Sequence, residues 1–94
     1  MKKKEIIREI AKKTGFEVMQ TETIVESFMT TVKEELSNNQ TIYLRGFGSF
    51  QIKKRAAKKA RIIRKNIAIT IPAHFVPSFK ASKKFKAMVK KRVK

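Results

Sequence analysis

Cysteine is absent from the 94 residues, so neither a disulfide nor a thiolate metal site can hold this fold. No apolar run approaches the roughly 18–20 residues of a membrane span, and no signal-peptide core follows the basic start. Acid is missing as well, but only from part of the chain. All seven acidic residues, Glu5, Glu9, Glu17, Glu22, Glu26, Glu34 and Glu35, precede position 36. Residues 1–35 carry seven cations against them, whereas residues 36–94 hold 17 cations and no acid, which is the whole of the +17 net charge. Such a field makes a compact state repel itself, and a polyanionic partner is the simplest reason to keep it. These absences lead us to expect a soluble, cytoplasmic protein. A membrane-surface role stays open, because cations also attract anionic lipids.

Hydrophobic residues make up 41% of the chain, enough for a core, and the length allows one small domain. Ile6, Ile7, Ile10 and Ala11 recur at three-four spacing with charges between them, which predicts a helix over 3–14 ended by Gly15. Ile24, Phe28, Val32 and Leu36 form the stripe of a second helix over about 18–37, stopped by Asn38-Asn39. Two such helices make a hairpin. After Gln40 the period becomes two. Residues 41–45 and 49–53 read as strands around a tight turn at Gly46-Phe47-Gly48, and Ile67, Ile69 and Ile71 mark another strand before Pro72.

Between those strands, residues 53–65 carry eight cations in thirteen positions, Lys53, Lys54, Arg55, Lys58, Lys59, Arg61, Arg64 and Lys65. The segment has too few apolar residues to pack on both faces, so it reads as a long basic hairpin leaving the body. Ser82 then caps a short helix with Phe85, Met88 and Val89 on one side and lysines on the other. No catalytic constellation is visible. Ser49, Ser78 and Thr41 lack a nucleophile motif, the single histidine, His74, has no carboxylate near it in sequence, and no metal or cofactor is expected.

Four ordered blocks carry a resemblance: Gly46-Phe47-Gly48-Ser49-Phe50, Lys54-Arg55-Ala56-Ala57-Lys58-Lys59, Ile71-Pro72-Ala73 and Val76-Pro77-Ser78-Phe79-Lys80. With the helices before and after them, the chain resembles, over essentially all its length, the HU and integration host factor family of bacterial DNA-bending proteins. HU and integration host factor are themselves standard examples of minor-groove binders that wedge apolar side chains between bases. The resemblance implies an α+β fold: a two-helix hairpin, a three-stranded antiparallel sheet with a long basic β-arm, and a short C-terminal helix, in an intertwined dimer. Residues 1–94 would be one DNA-binding domain, with about 1–39 as the helical dimerisation hairpin and about 54–73 as the arm.

At the arm tip the chain departs from the family pattern. Where Gly-Arg-Asn-Pro-Gln-Thr-Gly is usual, it has Ala60-Arg61-Ile62-Ile63-Arg64-Lys65-Asn66, with Ile63 at the place of the wedge proline. Isoleucine also serves as a wedge; Ile62 is the alternative. The glycine usual before the last helix is Ser82. The resemblance then implies DNA contact by Lys3, Arg45, Gly46, Lys53, Arg55, Lys58, Lys59, Arg61, Ile63, Arg64, Lys65, Lys80 and Lys83. The expected partners are double-stranded DNA and a second copy of this chain, in the nucleoid, with RNA binding left open and no membrane partner. Phe47, Phe50 and Phe79 would be core shared across that dimer, joined by Phe16, Phe28 and Phe85. An integration-host-factor-like protein with shape-based site preference and a small RNA-binding protein of ribosomal type remain alternatives. A two-stranded ribbon suits a duplex groove, and neither lipid nor unpaired bases require one.

Overall fold

The computed structural model describes residues 1–62 and 67–93, which form two compact units, residues 1–35 and residues 36–94. The first unit holds helix α1 (Lys3–Thr14) and most of helix α2 (Val18–Ser37). Gly15 ends α1 in the left-handed conformation at φ 81°, its N–H donating to the Ala11 carbonyl at 2.9 Å. Half of the apolar stripe of α1 is buried: Ile7 keeps 2% of its surface and Ala11 is also buried, while Ile6 and Ile10 stay exposed. Thr21 is buried as well, its hydroxyl donating to the Glu17 carbonyl at 2.9 Å, so the polar group is satisfied inside its own helix. Asn39, at φ 59°, ends α2 as the asparagine pair predicts.

The second unit is built on a three-stranded antiparallel sheet in the order β1-β2-β5, from β1 (Ile42–Leu44), β2 (Gly48–Arg55) and β5 (His74–Ala81). Strands β3 (Lys58–Ile62) and β4 (Ile67–Ile71) pair only with each other, as a two-stranded ribbon. The third strand of the sheet, His74–Ala81, is one that periodicity did not mark. Pro77 interrupts it, and a proline argues against a central strand. β5 lies at the edge of the sheet with β2 as its single neighbour, so one side of its backbone needs no partner and the missing N–H is tolerated. Residues 56–57 and 72–73 break the two chains between the sheet and the ribbon.

The sheet has one apolar side. Ile42, Phe50 and Phe79 stand in one cross-strand row, and the rings of Phe50 and Phe79 lie 5.0 Å apart. Helix α3 (Lys83–Arg92) adds Phe85, which stacks on Phe47 at 5.4 Å. Phe47 also meets Phe79 at 5.1 Å. Ser82 caps α3 as expected, accepting from the Phe85 N–H at 3.1 Å. The four rings touch, yet Phe47 and Phe79 keep 45% and 40% of their surface, and Phe28 keeps 46%. Among the described residues, only Ile7, Ala11 and Leu36 are buried hydrophobics. One copy of the chain therefore leaves much of its aromatic surface in water.

Candidate nucleic-acid interface

Alternation along β2 puts Ser49, Gln51, Lys53 and Arg55 on the side of the sheet opposite Phe50 and Ile52. Their register partners on β5 are Lys80, Ser78, Val76 and His74, and Tyr43 on β1 stands opposite Ser49. Three of the expected contacts, Lys53, Arg55 and Lys80, thus share one face, and no acid stands among them. Lys54 falls on the other face, exposed at the end of the strand nearest the ribbon.

The turn between β1 and β2 closes this face at one end. Gly46 sits at φ 82°, and the Phe47 N–H donates to the Leu44 carbonyl at 2.9 Å. Ser82 N–H donates in turn to the Phe47 carbonyl at 2.9 Å, tying the turn to the start of α3. The result is a hollow of about 550 Å³ with Arg45, Gly46, Lys80 and Lys83 in its lining, four positions expected from the sequence. Tyr43, Ser49 and Lys86 line it too and were not among the expected contacts. Lys86 follows Lys83 by one helical turn, and Tyr43 alternates with Ile42 and Leu44, so both placements were legible once the turn and helix were joined. Four cations and no carboxylate ring this hollow, at the positive end of the α3 dipole.

In the ribbon, Lys58 and Lys59 are exposed and stand in register with Ile71 and Thr70, so consecutive lysines lie on opposite faces. The backbone of Arg61 pairs with Ala68. Ile63, Arg64 and Lys65 lie outside the described residues. The two-strand reading of the basic hairpin is what the ribbon shows on either side of them.

Lys3 has a different neighbourhood. Its ammonium donates to Glu26 across the helical hairpin, and this bond together with the Glu26 charge raises the Lys3 pKa above the usual lysine value. A smaller attraction from Glu22 acts in the same sense, while desolvation opposes it. A phosphate drawn to Lys3 has to compete with that carboxylate. Among the described residues, no three His, Asp or Glu side chains are placed to hold a metal ion, and no helix is long and apolar enough to cross a membrane.

Comparison with known proteins accounts for this arrangement. The family described as bacterial DNA-binding protein matches residues 1–90. DNA-binding protein HU of Thermotoga maritima is 38% identical over 90 residues, covering 96% of this chain and all of the relative. Integration host factor subunit beta of Marinobacter nauticus is 37% identical over 95 residues, covering 100% of this chain and 97% of that one. Among solved structures, a cocrystal of Anabaena HU with DNA superimposes with a TM-score of 0.90 at 32% identity, over 95% of this chain and 97% of that one. With a sheet, turn, ribbon and helix in the places the HU fold puts them, and with a match across nearly its whole length, the chain belongs to the bacterial DNA-binding protein family that contains HU and integration host factor.

Proposed function

We propose that this chain is a histone-like architectural protein of the nucleoid. It binds duplex DNA with β-arms in the minor groove and bends it, with little sequence preference. The observation that carries this reading is the gathering of unopposed cations on one sheet face and one ribbon. Lys53, Arg55 and Lys80 share the face, Arg45 and Lys83 stand at its closed end, and Lys58 and Lys59 begin the ribbon. Phosphate contacts of that kind position a protein and carry little sequence information. The family is one of DNA-binding proteins rather than enzymes, and a relative was solved with DNA bound.

The functional unit is a homodimer. The phenylalanines that one copy leaves half exposed need a partner, and an apolar surface on a second copy of the same chain is the direct supply. Residues 54–73 form the arm, in which Arg61, Arg64 and Lys65 follow the phosphates or the groove floor and Ile63 wedges between base pairs. Gly46 offers a backbone N–H to phosphate beside Arg45, and Lys3 contacts flanking DNA once Glu26 releases it. Bending a site of this size costs about 1–6 kcal/mol elastically, offset by contacts with DNA that a straight duplex could not make.

Affinity measured against salt tests the reading. Neutralising roughly 8–10 phosphates per dimer gives a slope of about −7 to −9 in log affinity against log salt, nearly the same for unrelated duplexes. A slope shallower than about −3 would mean that most of these cations face solvent, and the proposal would fall. Strong discrimination between duplexes of different sequence would instead favour site-preferring behaviour like that of the integration host factor relative.

A further inference from the structure

The hollow beside the β1–β2 turn is built for more than a phosphate. Lysines and arginine suffice for that, yet its lining also includes the aromatic Tyr43 and the apolar Leu44 and Ala81. Tyr43 keeps 80% of its surface, an exposed aromatic side chain on the polar side of a sheet whose phenylalanines, Phe50, Phe75 and Phe79, face the opposite way. In register it stands opposite Ser49, which stands opposite Lys80, so aromatic ring, hydroxyl and ammonium form one row across three strands. Lys83 and Lys86, one turn apart on α3, line the same hollow.

We propose that this hollow takes a single nucleotide whose base has left the stack. The base lies on the Tyr43 ring, and the 5′ or 3′ phosphate meets Lys80, Lys83 and Lys86. A base has a π-face whatever its identity, so such a site is tolerant of sequence. A volume of about 550 Å³ falls within the roughly 300–1,000 Å³ of small-molecule sites, room for a base, a sugar and a phosphate. The inference rests on the DNA-binding reading and sharpens it. The protein would hold a frayed end, a gap or an extruded base next to the duplex bound on the same face.

Tyr43 is the only tyrosine and the chain has no tryptophan, so intrinsic fluorescence reports on this one ring. The test titrates the full-length protein with a short thymidine oligonucleotide and with an abasic oligonucleotide of equal length, alongside a fully paired duplex. The thymidine strand should quench the fluorescence and bind roughly five- to a hundred-and-sixtyfold more tightly than the abasic strand, the range base–aromatic stacking supplies. Tyr43→Ala should erase that difference in anisotropy; Tyr43→Phe should restore it. Lys86→Gln should weaken both single strands equally. Equal affinity for thymidine and abasic strands in the parent, or an unchanged preference in Tyr43→Ala, overturns the nucleotide site and leaves the duplex reading intact. Loss of duplex binding in the parent with the thymidine preference retained would overturn the duplex reading and leave the hollow.

Discussion

Gly48 opens β2 at the point where the sheet and its neighbours come closest. A Cβ built on it would lie 2.4 Å from the Lys80 carbonyl oxygen and 2.6 Å from the Cζ of Phe79. The first contact is with backbone in a paired strand, Gly48 standing opposite Ala81, and the second is with a ring held among Phe47, Phe50 and Phe85. Neither can swing away alone, so Gly48→Ala must part β2 from β5 or displace the aromatic cluster. Overpacking of this kind costs about 1–3 kcal/mol. At about 4–8 °C per kcal/mol for a chain of this size, the melting temperature should fall by roughly 5–20 °C. Thermal unfolding followed by circular dichroism at one fixed protein concentration measures it. Gly46 is the control, because nothing lies within 4 Å of its Cβ and only its φ of +82° resists a side chain. Gly46→Ala should lose about 1–2 kcal/mol from the left-handed conformation, and Gly46→Asn less, because asparagine tolerates it. A Gly48→Ala protein that melts within about 2 °C of the parent, less than 1 kcal/mol would move it, refutes the argument from close approach.

Three further outcomes are expected. The unfolding midpoint should rise with protein concentration, because a chain that buries so few hydrophobics alone needs its partner to fold; a constant midpoint with a monomer mass in sedimentation would remove the dimer. Ile63→Ala should reduce the bend seen by energy transfer or circularisation while changing affinity for straight DNA only modestly, since unstacking costs a few kcal/mol per step and the bend also earns contacts; an unchanged bend would move the wedge to Ile62. The Lys3–Glu26 pair stabilises the hairpin fully below the ordinary lysine value of 10.5 and loses its effect as pH rises through the raised Lys3 pKa. Any stability gap between parent and Glu26→Gln should therefore be flat from pH 7 to 9 and close at higher pH, and a gap that widens there would contradict the sign.

Much of this architecture is local and was legible in the chain. Three-four spacing in Lys3–Thr14 and Val18–Ser37 marks both helices, with Gly15 and Asn39 ending them, because backbone sterics act within a few residues. The ribbon and the cap at Ser82 follow from alternation and from a hydroxyl three residues before Phe85 N–H. The excess of cations is a property of composition and needs no fold. His74–Ala81 was different: its pattern contains Pro77, and only the strand order, with β5 at an edge, shows why the proline does no harm. Tyr43 and Ser49 meet across a local hairpin, but Lys80 is distant in sequence and joins their row only through the β2–β5 register. Registers and edges are long-range pairings, decided by which surfaces bury each other. Local propensity carries no record of them, so the cations could be counted from the chain, but the face and the hollow that gather them belong to the tertiary structure.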